Sequence, residues 1–208
     1  MNSKRILARA ARVFFISWAA VAAAIFAGCA SNTQMNGVWV NPEAGNRAPA
    51  SNVLVIGINR DSTARRIYED AIVAQFAARG IKAQPSYNLL PEFGLAPPQD
   101  IEMTVRNAGV DAVLVSRTVR VSTDIRVTPG NSYGPAGFHG MWGGAFSTAP
   151  TVYTVQNVEV ETGLFDVEDL TLLWSGSSTT NPTSSMQQTI NEFATVLIKA
   201  LAEARVIL

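Results

Sequence analysis

The chain contains a single cysteine and a single histidine in 208 residues. One thiol permits no disulfide within the chain. One imidazole, His139, leaves no histidine pair for zinc and no evident base beside a nucleophile. Charge is scarce too: Asp, Glu, Lys and Arg make up 15% of the residues, and the formal net charge is +0. Nucleic-acid binding relies on an excess of Lys and Arg to neutralise phosphates, which a balanced chain does not supply. The Gly-x-Ser-x-Gly elbow, the His-Glu-x-x-His pair, the Walker loop and the Gly-x-Gly-x-x-Gly fingerprint are all missing. The expectation is a protein that is not an enzyme, with no catalytic residue, no metal site, no cofactor and no nucleic-acid partner.

Acidic residues are missing from one region altogether, the 28 positions before Cys29. Lys4, Arg5, Arg9 and Arg12 make a basic start, and Val13 to Ala27 is apolar except for Ser17. A basic, then apolar, then small-residue order marks an export signal, and the apolar stretch falls short of the roughly 20 residues of a permanent span. Residues 1–28 are therefore expected to be a signal peptide. Without its four basic residues, the remaining chain carries 12 Lys and Arg against 16 Asp and Glu, a mild acidity.

Phe26-Ala27-Gly28-Cys29 resembles the lipobox of bacterial lipoproteins, although Phe26 replaces the usual aliphatic residue. The resemblance implies lipidation of Cys29, cleavage before it, and acylation of the new amino group by chains such as palmitate. Several acyl chains on one residue anchor stably, where one short chain holds only marginally. Ala30 and Ser31, with no Asp after the Cys, match the sorting signal of similar lipoproteins for the periplasmic face of the outer membrane.

Residues 29–52 are rich in Asn, Ser, Gly, Pro and Ala and read as a flexible tether, with Val38-Trp39-Val40 as its only apolar run. Residues 53–208 then form one α/β domain. Val53 to Ile58 reads as a strand buried on both faces. The helix that follows runs to Arg79 and ends at Gly80, with Ile67, Tyr68, Ala71, Ile72 and Phe76 at helical spacing. Arg65 with Glu69 and Arg66 with Asp70, each four apart, read as its solvated face. Ile81 to Tyr87 is a short strand, Gln99 to Ala108 a second helix, and Asp111 to Val121 a strong strand continuing to Val127. Val152 to Phe165 and Leu170 to Trp174 read as an antiparallel hairpin with one wet side, and Ser175 to Thr183 as polar turns. The last helix places Met186, Ile190, Phe193, Leu197, Leu201 and Ala204 on one stripe. The order β-α-β-α-β-β-β-α predicts a mixed sheet in a domain of two or three layers.

Three stretches carry a wider likeness: "VLVIGINRDSTARRIYEDAIVAQFAARGIKAQPSY", "DAVLVSRTV" and "LFDVEDLTLLWSG". Together with the element order, they resemble uncharacterised bacterial lipoproteins whose α/β domain is TolB amino-terminal-like or CsgG-like. The likeness covers about residues 53–206 and implies a fold and a capacity for self-assembly. It implies no activity, because function resides in sites rather than folds.

The candidate sites are few. Asp61 after Asn59 and Arg60 reads as a helix cap, although a strand-to-helix turn is also a place where anions bind. Asp166, Glu168 and Asp169, with Glu159 and Glu161, fit no calcium-loop spacing and read as the wet side of the hairpin. The stretch 129–150, "PGNSYGPAGFHGMWGGAFSTAP", holds six Gly and four aromatics. A long glycine-rich loop with spaced aromatics suits a segment that orders against a partner. Tyr133, Phe138, His139, Trp142 and Phe146 are therefore the expected partner-binding residues. The sequence reads as a lipid-anchored accessory or scaffold protein of the envelope that binds an envelope protein or itself. The alternative is a carrier or sensor of a small apolar ligand.

Overall fold

In the computed structural model the described residues are 31–90, 98–128 and 151–208. From Asn32 onward they form a single compact unit. Six strands make one mixed sheet: β1 (Thr33–Val40), β2 (Asn52–Ile58), β3 (Lys82–Pro85), β4 (Ala112–Thr128), β5 (Thr151–Asp166) and β6 (Leu172–Thr180). Their spatial order is β1-β6-β5-β4-β2-β3. β2 runs parallel to β3 and β4, and all remaining pairs are antiparallel. Among the described residues there are three α-helices: α1 (Ser62–Ala78), α2 (Pro98–Asn107) and α3 (Met186–Glu203). None of the helices among the described residues is long and apolar enough to cross a membrane.

The α/β expectation holds, and the layers follow from side-chain alternation along the central strands. Val53 and Val55 of β2, with Ala112 and Leu114 of β4, point into the main core under α1 and α3. Leu54, Ile56 and Val113 point the other way, to a smaller cluster with Val105 of α2 and Val167. Both faces of β2 are thus buried, and that is why its sequence is a continuous apolar run rather than an alternating one. Phe76, Ile72, Leu197, Ile198 and Leu201 are fully buried on the α1/α3 side. Each contributes about 1.5–3 kcal/mol relative to exposure. Asp61 caps α1 as expected, accepting from the Thr63 and Ala64 amides at 2.8 and 3.1 Å.

Two expectations are corrected. Residues 29–52 are not a tether throughout, since Thr33–Val40 is an edge strand along β6. The Thr33 and Thr180 hydroxyls meet at 2.9 Å in a buried pair. The chain that follows is also pinned. Arg47 reaches Asp166 and Asp169, each at 2.7 Å, and the Ala50 amide donates to the Val206 carbonyl at 2.9 Å. The strand has little apolar alternation because its core-facing residues are few and a bulge at Asn36 breaks their phase.

Likewise Ser175 to Thr183 is not a run of turns, because β6 extends to Thr180. Its core-facing positions are small because the space is already filled. A Cβ on Gly176 would collide with the Trp174 ring and the Met35 methyl. The hairpin's second strand begins at Leu172, and Leu170 belongs to the turn, in the left-handed region at φ 57°.

Candidate functional site

Strands β4 and β5 are far longer than their neighbours. Pairing of β4 with β2 stops at Arg117, and pairing of β5 with β6 stops at Val158, whereas β4 and β5 stay paired out to Thr128 and Thr151. Their outer halves are therefore a two-stranded arm extending past the body. At its base a bulge leaves Val119 without an opposite residue. That extra residue reverses the phase of β4. Beyond it, Val121, Thr123, Ile125 and Val127 pair with Val158, Gln156, Thr154 and Val152, so all eight share one face. Without the bulge, Arg120, Ser122 and Asp124 would take that face instead. The outer apolar members are exposed, Ile125 at 71%, Val152 at 62%, and Val121 and Val127 at more than half, whereas Val158 at the base is half-buried. The opposite face is mostly polar, with Asp124 accepting from Asn157 at 2.6 Å.

Where the arm meets the body lies a groove of about 500 Å³. Its position follows from topology. The connection from β2 passes through α1 to β3 on one side, and the connection from β3 passes through α2 to β4 on the other. The carboxyl ends of β2 and β4 therefore flank a switch point, the place where open α/β sheets bind ligands. The Tyr68 ring, Val158 and Val160 line the groove from below, and Met186, Ile190 and Phe193 of α3 line it from the side. The Tyr68 and Phe193 rings lie 5.9 Å apart, tilted by 48°. Gly57 makes room for this floor, because a Cβ there would come within 2.7 Å of the Tyr68 ring.

Beneath the groove the Tyr68 hydroxyl donates to Ser116 Oγ at 2.6 Å, and Ser116 and Thr162 share a hydrogen bond at 2.7 Å. Burial raises the Tyr68 pKa well above the ordinary phenol value, so it stays protonated. The hydroxyl is a hydrogen-bonding strut between α1 and β4.

Beside the groove a charged cluster overturns the solvated reading of Arg65 and Glu69. Arg65 is 4% exposed and Glu69 0%. The Arg65 Nε donates to Glu69 Oε1 at 2.9 Å, and its other nitrogens reach the Leu90 carbonyl and Ser86 Oγ. Glu69 also accepts from the Gly57 and Tyr87 amides, each at 3.0 Å. The pair thus ties the end of β2 and the start of α1 to the turn after β3. The second pair behaves differently: Asp70 accepts from the Tyr87 hydroxyl at 2.7 Å, and Arg66 stacks over the same ring at 5.5 Å. The hydrogen bond to Asp70 is the main cause of the raised Tyr87 pKa.

The hairpin carboxylates do not converge. Arg47 takes Asp166 and Asp169, Arg117 takes Glu161 at 2.7 Å, and Arg120 lies 3.7 Å from Glu159. The Arg47 guanidinium holds the Asp169 carboxyl well below the usual carboxylate range. Cys29 and the predicted partner-binding residues Tyr133, Phe138, His139, Trp142 and Phe146 lie outside the described residues. The described residues that flank 129–150 are Thr128 and Thr151, which pair where β4 and β5 meet that stretch. The groove went unseen in the sequence because its residues come from distant segments. The arm had a visible signal, the change of apolar phase between Leu114 and Val121.

No family model matches the chain, and no curated protein does. Among solved structures it is similar to the PelC dodecamer from Paraburkholderia phytofirmans, at 17% identity and a TM-score of 0.44, covering 85% of this chain and 99% of that one. It is also similar to lipoprotein GNA1162 from Neisseria meningitidis, at 17% identity and a TM-score of 0.42, covering 74% of this chain and 99% of that one.

Proposed function

We propose that the protein is a lipid-anchored accessory or scaffold protein of the bacterial cell envelope, acting by binding rather than by catalysis. In this reading Cys29 carries the lipid and the domain faces the periplasm from the outer membrane. The contact surface is the arm together with the 129–150 stretch it presents, which binds an envelope protein or a second copy. The observation that carries the reading is the uncovered apolar face of Val121, Ile125, Val127 and Val152. A two-stranded ribbon is marginal alone in water and gains stability when its apolar face is covered. Contiguous exposed apolar surface of this kind commonly marks an interaction site.

The test is photocrosslinking in intact cells, with a photoreactive residue at Ile125 or at Trp142 and a control at Arg66. Discrete products, or a ladder of self-crosslinks, are expected from the first two positions and not from Arg66. A folded, lipidated protein whose products at Ile125 and Trp142 are no richer than at Arg66 would remove the arm as the contact surface.

A further inference from the structure

We propose that the groove at the base of the arm binds a single long hydrocarbon chain ending in a carboxylate, a free fatty acid. The inference stands apart from the arm as a protein contact. Its first support is the chemistry of the walls, whose exposed surface is mostly apolar and comes from side chains such as Tyr68, Val158, Val160, Ile190 and Phe193. The two cations at the groove are already engaged, Arg65 by Glu69 and Arg117 by Glu161. Several hydroxyls also line the groove, but most are spent: Ser116 bonds with Tyr68 and Thr162, Thr180 with Thr33, and Thr183 and Thr189 donate to the Ser185 carbonyl. Few are left to converge on a sugar or nucleotide.

The second support is shape. The groove runs from the end of β2 across β4 and β5 to the end of β6, crossing three strand spacings, or about 14 Å. Its volume of about 500 Å³ lies in the range of small-molecule sites, with room for one chain. A trough that crosses strands suits a flexible chain better than a compact ring system.

The third is charge complementarity at one end. The first turn of α3 opens onto the groove through Met186 and Thr189. Its cap is the neutral Ser185, and that turn carries no acidic residue. The positive end of the helix dipole is therefore left uncompensated there and favours an anion. α1 differs, because the Asp61 carboxylate already caps it. The carboxylate is thus assigned to the α3 end, with the chain running toward Gly57.

The experiment uses the mature chain with Cys29→Ser, which keeps it in detergent-free buffer, titrated with the fluorescent fatty acid cis-parinaric acid. Saturable binding is expected, displaced by palmitate. In a ladder of saturated acids from octanoate upward, affinity should rise about fourfold per methylene until the groove is full. The double variant Met186→Gln with Ile190→Gln should bind about tenfold more weakly, whereas Ile125→Gln on the arm should bind like the parent. Gln187→Glu, which adds a charge to the first turn of α3, should weaken palmitate more than hexadecanol. An absence of saturable binding by protein that melts normally would overturn the proposal. So would an affinity independent of chain length, or a double variant that melts and binds like the parent. An equal effect of Gln187→Glu on acid and alcohol would overturn the placement of the carboxylate.

Discussion

The inner and outer halves of the β4–β5 hairpin are one continuous ladder in two environments. In the inner half Leu114 and Leu164 pair across the strands and are fully buried beneath α1 and α3. In the outer half Ile125 pairs with Thr154, and Ile125 is among the most exposed apolar residues of the described chain. Backbone pairing and β-branched composition are alike in both. The difference is cover: helices lie over the first half, and among the described residues none lies over the second. The same contrast holds for charge, since the buried Arg65–Glu69 pair serves the body while Arg120 and Glu159 meet at the exposed base of the arm. Burial turns a strand into core, and its absence leaves the same kind of strand as a surface.

The sharpest way to break this comparison is to remove one carboxylate from each half. Glu69→Ala leaves Arg65 buried with its main partner gone and should cost about 3–5 kcal/mol. Glu159→Ala should stay within about 0.5 kcal/mol of the parent. Urea denaturation of the two variants measures both, and equal losses would contradict the buried network.

Truncating apolar side chains gives a smaller but more direct contrast. Leu164→Ala should cost about 2–5 kcal/mol through lost burial and the cavity left behind. Ile125→Ala should change the isolated chain by less than about 0.5 kcal/mol. If a partner covers the arm, the same Ile125→Ala change should weaken the complex. A large destabilisation of the free chain by Ile125→Ala would show that the arm is already covered without a partner.

The smallest effect concerns pH. Asp169 has its folded-state pKa lowered by the Arg47 hydrogen bond, so its contribution is full above the ordinary carboxylate pKa of 3.8. That contribution declines as pH falls below this value toward the lower folded-state pKa. The stability difference between the parent and Arg47→Gln should therefore be flat near neutrality and shrink in strong acid. A difference already shrinking between pH values of about 5 and 7 would contradict the assignment, since ordinary Asp groups titrate below that window.

Much of the body was legible. β2, α1, the Asp61 cap and the α3 stripe follow from local periodicity and capping, which act between near neighbours in the chain. β1 and the outer part of β6 escaped because Thr33, Gly176, Ser178 and Thr180 carry no apolar signal. They face the core as small residues because Trp174 and Met35 already fill the space. The i,i+4 spacing of Arg65 and Glu69 was visible, but their burial depends on Ser86, Tyr87 and Leu90, about 20 positions away in the chain. In the arm the apolar alternation and its change of phase were readable, while the absence of cover over its outer half was not.

By itself, the sequence determined most of the regular elements of the body, because hydrophobic period and capping are short-range properties. Tertiary structure alone decided that Thr33–Val40 belongs to the sheet, that an ion pair is buried, that a groove opens at the switch point, and that half of a hairpin stands uncovered. Each depends on which distant surfaces meet, and burial is a property of the assembled layers rather than of any one segment.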